Sequence, residues 1–221
     1  LIGLVGSEMC IRDRLLPAVF AAGIYQLNVL VDTIFASFLS TGSPTWLYLS
    51  DRLIQFPMGL FGVAIALVAL PDMTELYIKK DSKNFNKTFL RGSLSTLLLG
   101  LATMIFYLFF SAEIISLLFE RGEFQEFDVA MTSASLVAYA YALPFLLNSK
   151  FFNSIFFATS KTKFVLLLGI VSLFINLLLN YLFIFIFGMG HVGLALATTC
   201  AALIVWLLSI IFLIYLRKSL A

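Results

Sequence analysis

Apolar residues run along this chain in long blocks, broken by short polar interruptions. The blocks cover 15–39, 46–70, 89–119, 129–157, 164–187 and 192–216. Each holds the roughly 20 apolar residues that a helix needs to cross a bilayer. None shows the ten-residue strict alternation of a barrel strand. The pattern predicts an all-α membrane bundle of about six transmembrane helices. The expected connections are 40–45, 71–88, 120–128, 158–163 and 188–191. Pro17, Pro57 and Pro144 fall in or near the spans and are candidate kinks.

Composition supports lipid as the solvent. Of 221 residues, 62% are hydrophobic and 12% charged, with 24 phenylalanines, against about 45–50% apolar and about 25% charged in soluble domains. The basic residues lie between apolar blocks and form no nucleic-acid patch. Residues 1–14 fit nothing that follows. They read as translated sequencing-adapter sequence or a linker, and the chain, starting at Leu1, is expected to continue beyond its N-terminus. Cys200 is then the remaining thiol, so no disulfide or thiolate metal site is expected.

Charge placement orients the bundle. Lys79, Lys80, Lys83, Lys87 and Arg91 lie between spans two and three. Lys150, Lys161 and Lys163 lie around the connection of spans four and five, and Arg217 and Lys218 follow span six. The opposite connections carry Arg121 beside Glu120, Glu123, Glu126 and Asp128. Basic residues collect on the cytoplasmic side. Both chain ends are therefore expected there. The 71–88 connection reads as a long cationic, interfacial stretch.

A few ionisable groups interrupt the apolar runs. Asp32, Asp51 and Arg52 each cost about 2.5–3.5 kcal/mol at a helix centre, so they are expected to be buried against a bundle interior or a wet cavity. Asp51 and Arg52 are adjacent and point about 100° apart, which prevents full mutual neutralisation. Arg52 is left needing another anion. Asn176 and Asn180 share one helix face at i,i+4. They are either interhelical hydrogen-bond glue or, with Asp32, oxygen ligands for a hard cation. Counting about 1.5 Å per residue from the span starts places Asp32, Asn176, Asn180, Thr198 and Arg52 in one layer of the outer half of the membrane. His191 reads as a turn residue and Glu113 as solvated. There is no Ser/His/Asp set, phosphate loop or histidine cluster, so no enzyme activity is expected.

The block Ser50-Asp-Arg-Leu-Ile-Gln-Phe-Pro-Met-Gly-Leu-Phe-Gly-Val-Ala, continuing to Pro71, closely resembles the signature of the MurJ/MviN family. Further matching stretches are Leu16-Pro17, 32–39, 118–124, 139–144, 157–163 and 193–198. The family comprises lipid II flippases of bacterial peptidoglycan synthesis, within the multidrug/oligosaccharidyl-lipid/polysaccharide exporter superfamily. The resemblance covers residue 15 to the end. It implies the second lobe, helices seven to twelve, of a fourteen-helix inner-membrane transporter. The first lobe and last two helices would be its missing partners, with membrane lipids around it and lipid II as the cargo. It further implies that Arg52 binds the diphosphate, with Asp51 orienting or balancing it. No cofactor is required, but sodium could bind Asp32, Asn176, Asn180, Thr198 and the Leu194 carbonyl. Asn180 stands where that pattern has an acidic ligand, so one negative charge is missing. The alternatives are an exporter of other lipid-linked oligosaccharides or drugs, and a static membrane scaffold.

Overall fold

The computed structural model describes residues 23–24 and 26–220. Residues 1–14, Pro17 and the beginning of the expected first span lie outside them. Described residues of that span form helix α1 over 26–37. It is followed by α2 (Ser43–Ile78), α3 (Ser82–Phe119), α4 (Glu126–Ala140), α5 (Leu143–Ala158), α6 (Thr162–Tyr181) and α7 (Gly190–Leu220). Among the described residues four helical stretches are long and apolar enough to span a membrane, and the α4–α5 pair makes a fifth.

The fourth apolar block is built as two rods. α4 and α5 meet at 45°, with Pro144 in the first turn of α5. Proline suits that position because its missing N–H would lack an intrahelical partner anyway. The break is seated against α3. A Cβ on Gly100 would lie 2.5 Å from Pro144 Cα and 3.0 Å from the Leu143 carbonyl oxygen. Only glycine allows this approach. Pro57, by contrast, does not interrupt α2.

The expected long connection at 71–88 is absent. α2 continues through Pro71 to Ile78 and α3 starts at Ser82, leaving only Lys79–Asp81. A helix-interior proline removes a single backbone bond, and packing of Met73 (0% exposed) on the far side holds the helix together. The turn closes as a Schellman motif: Lys80 has φ 53°, and the Asp81 N–H donates to the Leu76 carbonyl at 3.1 Å. Asp81 then caps α3, its carboxylate accepting the Asn84 backbone N–H at 3.1 Å. At 36 residues, α2 is about 54 Å long and overshoots a hydrocarbon core of about 30 Å.

Lys150 also departs from expectation. It lies inside α5, eight residues before the helix ends, rather than at a connection.

α4 and α5 form the centre. α2 and α3 both pack on them, α7 packs on α4, and α6 lies against α7. One apolar cluster, including Leu136, Leu143 and Ile115, fills the half of the bundle towards the α3–α4 connection. Another, including Met73, Phe152 and Phe156, fills the cationic half. Outward-facing Leu90, Phe109 and Leu117 of α3 and Phe174 of α6 give the lobe a greasy flank. Asn148, fully buried, ties three helices: it donates to the Ser93 carbonyl (2.8 Å) and Thr96 Oγ1 (2.7 Å) of α3, and accepts from Trp206 Nε1 of α7 (2.8 Å).

Candidate functional site

The buried stripe of α2, Ser43, Trp46, Leu47, Ser50 and Ile54, follows the i,i+3/i+4 spacing of a packed helix face. Ser50 donates to the Thr132 carbonyl of α4 at 2.8 Å, and Tyr107 of α3 donates to the Leu53 carbonyl at 2.7 Å. This fixed rotation points Asp51 and Arg52 in different directions.

Asp51 is half-buried and lines a recess of about 110 Å³ with Asn28, Asp32, Tyr48, Tyr139 and Thr198. Arg52 stands on the exposed face of α2. Arg52 thus faces away from the core of the lobe, because the stripe that buries Ser50 and Ile54 turns residue 52 outwards. The two charges do not meet. Gln55 sits between them: its Oε1 accepts from Arg52 Nη1 at 3.1 Å, and its Nε2 donates to Asp51 Oδ2. The guanidinium also lies over the Tyr48 ring, 4.7 Å from its centroid, a cation–π contact. A guanidinium has five N–H donors. With one engaged by Gln55, most of the fork is free to meet an anion.

Sequence reasoning passed over Gln55 and Tyr48. Their signal was their position, three and four residues from Arg52 on one helix face.

The second group assembles across α1, α6 and α7. Asn180 Nδ2 donates to Asp32 Oδ1 at 2.6 Å and to Asn176 Oδ1 at 3.0 Å. Thr198 Oγ1 donates to Asp32 Oδ2 at 3.3 Å or to the Leu194 carbonyl at 3.2 Å, and accepts from Asn176 Nδ2 at 3.1 Å. All five positions expected from the sequence thus meet at one point, although 148 residues separate Asp32 from Asn180.

The donor set fits a hard monovalent cation: a carboxylate, two amide oxygens, a hydroxyl and a main-chain carbonyl. Two buried amide oxygens, Asn180 Oδ1 and Asn28 Oδ1, have no hydrogen-bond partner. Such orphaned acceptors are costly in a protein interior. A half-turn of the Asn180 amide would exchange its donor for that acceptor beside Asp32. Among the described residues no group of three or more His, Cys, Asp or Glu side chains could hold a metal; this cluster carries one carboxylate, that of Asp32.

His191 is packed rather than free. It lies in the first turn of α7, its ring 5.0 Å from that of Trp46 and its Nε2 3.2 Å from the Met131 carbonyl oxygen. Trp46 Nε1 donates to Asp128 at 2.8 Å. These contacts pin the starts of α2, α4 and α7 together.

The lobe shares its fold with solved transporters described as members of the MOP superfamily. One such transporter from Pyrococcus furiosus matches 94% of this chain with a TM-score of 0.81, covering 45% of its own length at 16% identity. Within that class the sequence is specific. Residues 9–221 match the family model described as lipid II flippase MurJ, and the chain belongs to that family. It is 38% identical to a probable lipid II flippase MurJ of Vibrio cholerae over 87% of this chain and 36% of the relative. A lipid II flippase MurJ of Burkholderia cenocepacia is 30% identical over 83% of this chain and 35% of its own length. A solved lipid II flippase MurJ in an inward closed conformation superposes with a TM-score of 0.80 at 29% identity, over 90% of this chain and 41% of that one. The chain spans about a third of the length of the curated relatives it matches.

Proposed function

We propose that this chain is the second lobe of a flippase that moves lipid II across the bacterial inner membrane by alternating access. The observation that carries the reading is Arg52. Its guanidinium stands on the exposed face of α2, steadied by Tyr48 and Gln55, with donors left for a diphosphate. Arginine suits this task because its planar fork meets phosphate oxygens two at a time. Asp51, held by Gln55, balances the charge without quenching it. Lobes of such transporters rock around a midplane site, so the first lobe and last two helices would close the cavity from the other side. Basic residues on the α2–α3 and α5–α6 turns support a cytoplasmic side for those turns and for both chain ends.

Sodium would sit among Asp32, Asn176, Asn180, Thr198 and the Leu194 carbonyl. When bound it supplies a fixed positive charge. The chain's own residues tie that charge to the bundle, since they come from α1, α6 and α7.

In the full-length protein, Arg52→Ala should abolish complementation of flippase depletion while membrane insertion is normal. Arg52→Lys keeps the charge but loses the fork, and should restore activity only partly. Normal growth of the alanine variant would sink the diphosphate role. Asp32→Ala should remove sodium-dependent thermal stabilisation, read as the difference in melting temperature between sodium and choline chloride.

A further inference from the structure

Lys150 is the cation that the Arg52 site does not use. It lies eight residues before the end of α5, about 12 Å along the axis, and is exposed on the lobe surface. Among the described residues no carboxylate pairs with it; the ion pair they contain is Lys79–Glu75. Its stem lies on α2 at Gly62. A Cβ there would be 3.6 Å from Lys150 Cγ and 4.0 Å from Cδ. The stem thus runs within van der Waals reach of α2 at the Gly62 position.

The Cα–Cβ bonds of a helix tilt towards its N-terminus, which for α5 is away from the cationic turns, so the Lys150 Cβ leaves α5 towards the level of Arg52 and not towards the cytoplasmic end. On α2, Gly62 is ten residues past Arg52, about 15 Å further along the axis. At 100° per residue it lies on the flank that carries Asp51 and Gln55. Lysine inside a span is costly and is a sign of a pathway for ions or charged groups.

We propose that Lys150, seated on Gly62, is a second anion-binding residue, contacting the phosphoryl groups of the cargo on their way between the cationic end of the lobe and Arg52. The inference rests on the reading of Arg52 as a diphosphate ligand. Lysine fits a transit contact: its ammonium is a compact point charge with three rotatable donors, without the directional fork that would hold a diphosphate in one pose.

The test uses the full-length protein in nanodiscs, with undecaprenyl diphosphate as the probe and complementation as the activity readout. Lys150→Met keeps the stem on Gly62 and removes the charge. It should weaken probe binding three- to tenfold and slow growth, with an unchanged melting temperature. Lys150→Arg should retain most of both. Gly62→Leu, which fills the seat and leaves the charge, should weaken binding like Lys150→Met. Wild-type affinity in Lys150→Met, or a lowered melting temperature with unchanged affinity, overturns the proposal. Arg52→Ala separates the two readings. If it binds the probe normally, the diphosphate reading falls and this one with it. If it fails to bind while Lys150→Met binds normally, only the role of Lys150 falls. Running the set in phosphatidylcholine and in phosphatidylglycerol separates the sources of phosphate. A loss confined to phosphatidylglycerol would assign Lys150 to a bilayer headgroup and overturn the transit role.

Discussion

Asn180 carries the sharpest consequence at the scale of single residues. It is fully buried, donates to Asp32, and leaves its own oxygen unpartnered. The amide thus stabilises the carboxylate by a hydrogen bond without adding a charge of its own. Asn180→Asp reverses both effects. Without sodium, two carboxylates in contact should lower the melting temperature, since like charges cannot both ionise cheaply at that range. With sodium, the added ligand should strengthen binding. Melting curves across a sodium titration should therefore show a larger sodium-dependent rise than the parent protein. An unchanged rise would make the cluster a hydrogen-bond tie only. The cluster was legible in sequence because Asn176 and Asn180 share a helix face and Asp32 interrupts an apolar run. The opposite outlooks of Asp51 and Arg52 were not. Which of two adjacent residues turns outwards depends on where α4 and α5 press on α2, and no local pattern records that.

The elements are joined by close backbone approaches and tight turns. At Gly100 a new methyl would meet the backbone of Pro144, which cannot move without opening the α4–α5 joint. Gly100→Ala should cost about 1–3 kcal/mol, the usual range for overpacking, read as a lower melting temperature in detergent. Gly92→Ala meets a side chain instead: its methyl would lie 2.4 Å from the ring tip of Phe151, which is buried and packed on Phe89 and Phe152, so a loss of similar size is expected. The α2–α3 turn adds a pH dependence. Bonds from the Asn84 backbone and side chain hold the Asp81 carboxyl below the usual carboxylate range. A carboxyl depressed in the folded state stabilises it above the unfolded pKa, and the contribution is lost as pH falls through the folded value. Amide exchange at the start of α3 should accelerate in acid below about pH 4, and Asp81→Asn should remove that dependence. The sequence hid the extent of α2. Pro71 and the lysines after it read as a loop, yet one missing bond did not end a helix anchored by Met73. Asn148 was missed for another reason: its partners Ser93, Thr96 and Trp206 lie on other helices, and nothing at helical spacing pointed to them.

For the whole molecule, the apolar blocks and the Ser50–Pro71 signature carried the architecture, and the packing of the described helices followed from burying their faces. The three-residue turn between α2 and α3 has a consequence for biogenesis. Helices joined this tightly cannot be laid into a membrane one at a time with an idle loop between them. They are expected to enter as a hairpin, with the contact in which Tyr107 of α3 donates to the Leu53 carbonyl, one residue from Arg52, available from the start. The charge in α2 would then meet the hydrocarbon beside a polar neighbour from the first moment. The insertion cost of the site would be borne by the pair of helices, and so α3, which contributes none of the site residues, would be required for the site to reach the membrane.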